Sequence, residues 1–374
     1  MKTLLRLLLK SQHQRNRSGQ AQTEKGMTLV ELLVGSIMAF LIITPMLSFV
    51  VDMLNTDRRE QVKANTEQDI QAAVDFIAQD LSQAIYIYDN NPLTASTATT
   101  TATGIPALKG KFIPVDGDTK IPILVFWKRQ PLPNSLPLTA GEKPKDCANP
   151  PKLTGTGACN DTYVLALVAY YQIKEKDTKN TWCQPSGDPC PTRIVRYQIQ
   201  DGLRNPSSTD PDPSKRYFTG TSDVKDGQER SSAFFVGSAT QPGFDISKPT
   251  ENVTNGVASF ANPDVRSEVL VNYIDHSKTY PPLTGNECTT ALGKPTTQIG
   301  TTTQEIPEPT LLINDGSTNS FYACVDTARS LARVTIRGNS LRRLQNNDTD
   351  YNTSRSAFFP TASVQVQGLG ARGN

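Results

Sequence analysis

A continuous apolar segment near the N-terminus constrains this chain more than any other feature. It runs from Met27 to Val51, 25 residues in which Glu31 is the only charged side chain. About 20 consecutive apolar residues are enough for a helix to cross a lipid bilayer. The sequence therefore predicts a membrane-spanning helix with one carboxylate at the fifth position from Met27.

A short basic leader precedes the apolar segment. It ends at Gly26 and carries Lys2, Arg6, Lys10, Arg15, Arg17 and Lys25 against Glu24. These positive charges favour a cytoplasmic leader and an exported C-terminus. A secretory signal would be cut after its apolar region, at small residues that do not follow Val51. The apolar helix is therefore expected to stay in the mature protein.

Glu31 needs a partner inside a bilayer. A charged side chain costs roughly 2.5–3.5 kcal/mol near the membrane centre and less near an interface. Cleavage after Gly26 would create a candidate partner, the new α-amine on Met27. The simpler alternative is an interfacial glutamate that snorkels towards the cytoplasmic surface.

The sequence stays helical beyond Val51. An apolar stripe at spacings of four and three residues comprises Ile70, Val74, Ile77, Leu81, Ala84 and Tyr88. Polar side chains fill the other face, namely Gln68, Asp69, Gln71, Asp75, Gln79 and Asp80. Asn90-Asn91-Pro92 is expected to stop the helix. The stripe predicts a helix packed under a sheet, and a coiled-coil stalk is the alternative.

The rest of the chain predicts a β-rich domain. Runs of β-branched and aromatic residues alternate with clusters of Gly, Pro, Asn and Asp. The predicted strands are Ile121–Trp127, Tyr163–Ile173, Arg193–Ile199, Val265–Ile274, Phe321–Val325, Arg333–Arg337 and Ala362–Gln367. Polar insertions at about 130–160 and 200–262, and a polar loop at 277–318, separate them.

These segments define a fold and its domain boundaries. We expect one antiparallel sheet laid on the amphipathic helix, an α+β fold. The expected order is a leader at 1–26, a membrane helix at 27–51, an amphipathic helix at 52–90 and the exported domain at 91–374.

Six cysteines lie beyond the apolar segment, and an even number in an exported domain favours disulfides. They are Cys147, Cys159, Cys183, Cys190, Cys288 and Cys324. Six cysteines allow 15 connectivities. The turn-forming residues 184–189 favour a bond between Cys183 and Cys190, and Cys288 with Cys324 would pin the loop at 277–318. Free buried thiols are the alternative. A zinc site is disfavoured, because no C-x-x-C spacing occurs and one histidine remains after cleavage.

The sequence lacks motifs of catalysis. It has no G-x-S-x-G, no P-loop and no H-E-x-x-H. His276 beside Asp275 could act as a base, but a surface or sheet-edge histidine is the simpler interpretation. We therefore expect a protein that is not an enzyme.

Some loop side chains could bind ligands. The carboxylates of Asp210, Asp212, Asp223 and Asp226 lie in turn-rich segments and would suit calcium. Without the spacing of an EF-hand, solvated acids and no cofactor are favoured. The aromatic side chains of Trp182, Tyr217 and Phe218 could stack on sugar rings, although partial burial under the loops is favoured.

The charge balance argues against nucleic acid as a partner. Residues 1–26 hold six of the 38 basic and one of the 36 acidic side chains. The mature chain would therefore carry about −3 net charges, without the basic excess that binds phosphate backbones.

The segment Gly26-Met27-Thr28-Leu29-Val30-Glu31-Leu32-Leu33-Val34 resembles the cleavage and methylation motif of type IV pilin-like proteins. Chain length and residues 56–60 and 68–77 look like the large minor pseudopilins. These include the PilW-like pilins, the J-type pseudopilins of type II secretion and the HpsC-like pseudopilins of cyanobacterial hormogonium polysaccharide secretion.

The resemblance implies a pathway of processing and assembly. A prepilin peptidase would cut at Gly26 and N-methylate Met27, and Glu31 would neutralise the N-terminal amine of a neighbouring subunit. The mature chain would be a single-pass, non-catalytic minor pseudopilin of the inner (cytoplasmic) membrane, with its large domain in the periplasm or outside the cell. Its partners would be other pilins or pseudopilins and the inner-membrane assembly platform.

The same resemblance implies a machine that secretes polysaccharide in support of gliding motility, with the polysaccharide itself as a further partner. The alternative function is a single-pass, membrane-anchored carbohydrate-binding protein that no peptidase cuts. An anchored enzyme is the third interpretation, and the missing catalytic motifs disfavour it.

Overall fold

One long helix, α1, extends from Leu29 to Ser82. The computed structural model describes residues 28–90, 113–114, 119–183, 190–212, 215–232, 234, 266–345 and 347–372. The chain forms two compact units, Met1–Arg58 and Arg59–Asn374, so that α1 contributes to both. The expected leader lies outside the described residues.

The part of α1 in the first unit is an exposed apolar helix. Each side chain from Leu29 to Arg58 is exposed, and Glu31 is the only charged one before Asp52. Pro45 lies inside the helix. By length and composition, α1 is able to cross a membrane.

In the second unit α1 contributes to the core. Ile70, Val74, Ile77 and Leu81 are buried there, as the four-three spacing predicts. Gly338 allows the close packing of α1, because a Cβ at this position would lie 2.2 Å from Ile70 Cδ1. The predicted amphipathic half is therefore a core helix of this unit.

The helix ends earlier than the sequence predicts. It stops at Ser82, and Ala84–Ile87 forms strand β1, which pairs with residues 126–128. The expected stop at Asn90-Asn91-Pro92 is therefore wrong. Ile85, Tyr86 and Ile87 favour an extended backbone, and their backbone groups bond to a neighbouring strand. Ala84 and Tyr88 fit the helical spacing and are buried in the core, but not on a helix.

A five-stranded antiparallel sheet packs against α1. Its strands are β1, β2 (Lys120–Pro137), β3 (Cys159–Lys174), β4 (Thr192–Gln200) and β5 (Arg266–Ile274), in spatial order β1-β2-β3-β4-β5. Sequential strands are neighbours throughout, so the sheet is a meander. The predicted strands in this part of the chain are confirmed, and β2 and β3 are longer than expected.

A second sheet corrects the expectation of one sheet. It contains β8 (Leu312–Ile313), β9 (Phe321–Asp326), β10 (Leu331–Arg337) and β11 (Thr361–Gln367), in order β11-β10-β9-β8. Apolar side chains from both sheets and α1 form one core. The two sheets are separate, because no backbone pairing joins β5 to β9 or β10 within the described strands, apart from a single bridge between Ile274 and Gly338.

The segment at 277–318 is more ordered than a polar loop. It holds two short helices, α2 (Glu287–Ala291) and α3 (Glu308–Leu311), and the hairpin β6 (Thr296–Ile299) and β7 (Thr302–Glu305). The polar side chains of this segment predict a loop, but they belong to a short hairpin that is exposed to solvent. A small apolar cluster that includes Cys288, Leu292 and Leu311 anchors the segment.

Strands β2 and β3 extend beyond the other strands as a two-stranded arm. β3 pairs with β4 only from Ala166 onward, whereas β2 and β3 remain paired as far as Pro137 and Cys159. We call residues 131–137 and 159–165 the arm. It occupies both ends of the predicted insertion at 130–160, which is therefore partly strand. About half of the other insertion, at 200–262, lies outside the described residues.

Candidate functional site

The first turn of α1 carries the one charged side chain of the apolar segment. Glu31 lies in this turn with an exposed side chain. Its backbone N–H donates to Thr28 Oγ1 at 3.3 Å and to Thr28 O at 3.0 Å, so Thr28 caps the helix. A carboxylate here complements the positive end of the helix dipole, which makes the position compatible with a stable helix.

Glu31 has no ion-pair partner in the described part of the chain. The proposed cleavage residues Gly26 and Met27 lie outside that part, so the Met27 α-amine stays a prediction. An acid surrounded by exposed apolar side chains is costly in a bilayer unless a cation reaches it. The Glu31 carboxylate is therefore able to form an ion pair with one positively charged group from another molecule.

A buried ion cluster fixes the last turn of α1 to the five-stranded sheet. Asp80 accepts hydrogen bonds from Lys128 Nζ at 2.7 Å, Arg196 Nε at 2.6 Å and Tyr170 Oη at 2.7 Å. These three partners come from β2, β4 and β3. The sequence pattern places Asp80 on the exposed helix face, and this expectation is wrong, because the residue is 6% exposed.

The charges in this cluster compensate one another. Burial opposes the charge on Asp80, but hydrogen bonds and the positive charges of Arg196 and Lys128 outweigh it, and the pKa of Asp80 lies below its ordinary value. Burial and the Asp80 charge hold the pKa of Tyr170 well above its ordinary value, so its hydroxyl remains a donor. Burial lowers the pKa of Lys128, although the Asp80 charge acts against it. The cluster is thus a buried, hydrogen-bonded structural group of one acid between two basic side chains.

All six candidate cysteines form disulfides. The pairs are Cys147–Cys159, Cys183–Cys190 and Cys288–Cys324. The second pair is the one that residues 184–189 favour, and the third joins α2 to β9. The alternative of free thiols is therefore wrong.

His276 and Asp275 do not form a catalytic pair. Asp275 is buried, and it accepts hydrogen bonds from Arg337 Nε at 2.8 Å and Ser277 N at 2.9 Å. The His276 Nε2 atom instead lies 3.4 Å from Thr349 Oγ1 and 3.6 Å from Asp350 Oδ1. Burial lowers the pKa of His276, although Asp275 and Asp350 act against it. The arrangement stabilises the ends of β5 and β10.

The loop acids proposed as calcium ligands are not brought together. Asp223 forms an ion pair with Lys143 at 2.6 Å, and Asp210 accepts a hydrogen bond from the backbone of Asp212 at 2.8 Å. Asp226 lies elsewhere, beside Gly227 and Arg266. No group of three or more His, Cys, Asp or Glu side chains within the described ranges could hold a metal ion.

The aromatic candidates differ in exposure. Trp182 is 40% exposed and stacks on Arg193, whose guanidinium carbon lies 5.2 Å from the ring centroid. Tyr217 and Phe218 are only 6% and 9% exposed, so they match the expected burial. The sequence places Tyr163 in a strand, and it does lie in β3. Its exposure on the arm, 57%, is not predicted by the sequence.

Comparison with known proteins gives no assignment. The chain matches no protein-family model, no curated protein and no solved structure.

Proposed function

We propose that the protein is a filament subunit of the type IV pilin-like class. The observation that carries this proposal is Glu31, an acid in the first turn of an exposed apolar helix, four residues after Met27, that has no ion-pair partner among the described residues. An ordinary membrane anchor has no use for such an acid, whereas cleavage after Gly26 supplies the cation that it lacks. Docking of one subunit on another then removes two unpaired charges from an apolar environment.

Within that class, we propose a non-catalytic minor pseudopilin of a type II secretion-like machine in the inner membrane. The second unit supports a low-abundance position at the tip or in the initiating complex, because the arm and the segment at 277–318 add bulk to the domain. Such bulk would crowd a tightly packed helical shaft. By the resemblance stated above, the cargo is a polysaccharide that supports gliding motility.

The processing step gives the most direct test. Mass spectrometry of the protein from host membranes is expected to show a chain that begins at Met27 and carries one methyl group on its α-amine. A chain that keeps Met1, or one cut beyond Val51, would contradict the proposal and favour a membrane-anchored binding protein.

The cargo needs a separate test. Deletion of the gene should abolish polysaccharide at the cell surface while leaving its synthesis inside the cell intact. Normal surface polysaccharide in the deletion strain would refute polysaccharide as the cargo, but it would not change the conclusion from the processing test.

A further inference from the structure

The arm carries a second, small apolar core beside the main one. Leu132 and Val164 from the arm pack against Leu203, Phe218 and Val224 from the loop that follows β4. Gly202 allows close packing within this loop, because a Cβ there would lie 2.7 Å from Arg230 Cβ. The loop is therefore fixed against the arm rather than free above it.

Two adjoining clefts open between the arm and this loop. The larger has a volume of about 370 Å³ and is lined by Leu136, Tyr163, Asp201, Leu203 and Arg204, among others. The smaller has about 190 Å³, and both include Pro206 in their walls. We call the larger one the arm cleft. Its volume is in the range of about 300–1,000 Å³ that is common for small-molecule sites.

Tyr163 gives the arm cleft an exposed aromatic wall. The Arg129 guanidinium carbon lies 4.5 Å from the centroid of its ring. This cation–π contact occupies one ring face and holds the ring in place. With 57% of the residue exposed, the ring remains available to a ligand. Apolar C–H groups on one face of a pyranose ring pack well on such a surface.

Asp201 places a hydrogen-bond acceptor beside that wall. Its Oδ1 accepts from the Gly202 N–H at 2.8 Å, and its Oδ2 lies 3.4 Å from Tyr217 Oη, which is a long contact. A carboxylate offers about four acceptor sites, so capacity remains for ligand hydroxyls. Burial raises the pKa of Asp201, while Gly202, Tyr217, Arg204 and Arg230 act against it.

Arg204 adds donors at the same place. It is exposed, and its guanidinium carbon lies 5.6 Å from the Tyr217 ring centroid. A guanidinium presents five N–H donors in a fixed plane. The arm cleft thus combines an aromatic wall from the arm with an acceptor that has spare capacity and a planar donor, both from the loop that follows β4.

We propose that the arm cleft binds a pyranose residue of a neutral polysaccharide. The Tyr163 ring packs on the sugar face, Asp201 accepts hydrogen bonds from two sugar hydroxyls, and Arg204 donates to a ring or hydroxyl oxygen. A neutral sugar suits the opposite charges of Asp201 and Arg204, since an anionic sugar bonded to Arg204 would also lie against the Asp201 carboxylate. The identification of this sugar with the cargo rests on the proposed function, whereas the binding itself does not.

The test is isothermal titration calorimetry on the full-length protein in detergent micelles. The probes are cellotetraose, mannotetraose, xylotetraose and, as the anionic sugar, tetragalacturonate. We expect saturable binding of at least one neutral tetrasaccharide. Tyr163→Ala and Arg204→Gln each remove an exposed side chain, so they leave the fold intact and should weaken binding by about tenfold or more.

Trp182→Ala is the matched control, because Trp182 is also an exposed aromatic residue that stacks on an arginine, but beyond the other end of β3. Its affinity should equal that of the wild type. The proposal is overturned if no neutral tetrasaccharide binds, if Trp182→Ala weakens binding as much as Tyr163→Ala, or if tetragalacturonate alone binds. Loss of self-association in Tyr163→Ala without sugar binding would make the cleft a subunit contact and also overturn it.

Failure of this proposal is distinguishable from failure of the proposed function. The calorimetry needs neither cleavage at Gly26 nor assembly, so an N-methylated Met27 combined with an absence of sugar binding removes only the arm-cleft assignment. An uncut chain that still binds a neutral tetrasaccharide would refute only the assignment as a pseudopilin.

Discussion

The Asp80 carboxylate lies 2.6 Å from Arg196 Nε in the interior of the second unit. The two residues are 116 positions apart in the chain, and they join the last turn of α1 to β4 of the five-stranded sheet. Lys128 completes the group at 2.7 Å from the same carboxylate. One acid therefore binds two buried basic side chains, and its single negative charge balances only one of them.

Asp80→Asn should destabilise the second unit by about 3–5 kcal/mol, because removal of one partner leaves buried charges uncompensated. Urea unfolding followed by tryptophan fluorescence measures this loss, since Trp127 lies in the core. Asp75→Asn is the matched control on the exposed helix face and should change stability by about 0.5 kcal/mol or less. Equal effects of the two variants would contradict the structural role of the cluster.

Asp315 should make stability depend on pH in the acid range. Its side chain accepts from Lys174 Nζ at 2.7 Å and from the backbone of Thr318 and Asn319. Burial opposes its charge, but these bonds and the Lys174 charge dominate, so the pKa of Asp315 lies far below its ordinary value of 3.8. A carboxyl whose pKa is lower in the folded state stabilises the fold above the unfolded pKa, and this contribution is lost as the pH falls.

We therefore expect the unfolding midpoint in urea to be highest above about pH 5 and to fall steadily below about pH 4. Asp315→Asn should be less stable at neutral pH and show a flatter decline on acidification. Glu305→Gln, on the exposed hairpin, should follow the wild-type curve. A wild-type profile that is flat from neutral pH down to about pH 3 would contradict the assignment.

The Cys288–Cys324 disulfide should contribute more to stability than Cys183–Cys190. The first pair closes a loop between cysteines 36 positions apart in the sequence, and the second pair closes a loop between cysteines 7 positions apart. In the chain-entropy model these loops correspond to about 4 and about 2.5 kcal/mol. Paired Cys→Ala variants, compared by urea unfolding, should follow this order. The reverse order would show that strain or residual structure outweighs loop length.

Glu31→Ala should prevent assembly of the proposed filament. The variant removes the acid that the Met27 amine of a neighbouring subunit would meet, while Leu29–Val51 stays apolar enough to insert in the membrane. We expect normal cleavage, a folded second unit and no assembled filament in sheared fractions. Glu67→Ala, an exposed acid further along α1, should assemble normally. Wild-type assembly of Glu31→Ala would refute charge pairing.

The sequence predicts seven of the eleven described strands, because β-branched and aromatic runs between turn-forming residues mark them locally. It does not predict β1 or the short strands β6, β7 and β8. It also predicts the apolar core positions Ile70, Val74, Ile77 and Leu81. It fails at residues 84–88, where the helical spacing continues by coincidence. Backbone pairing of β1 with β2 overrides that pattern. No feature of residues 84–88 themselves predicts that β2 is their partner.

The candidate sites follow the same division. Glu31 is visible in the sequence, because a single charge in an apolar run stands out without any tertiary information. Asp80 is not, since it resembles any polar helix residue until partners 48, 90 and 116 positions away are known. Tyr163 lies in a predicted strand, and only the extension of β2 and β3 beyond β4 shows that it is exposed.

The disulfides have a consequence for export. Each one joins a cysteine to the next cysteine along the chain, first with second, third with fourth and fifth with sixth. In the proposed topology the leader stays in the cytoplasm and the chain beyond α1 crosses the membrane in sequence order, so that each pair can oxidise before the next appears. Vectorial oxidation in this order yields the native bridges without reshuffling by an isomerase.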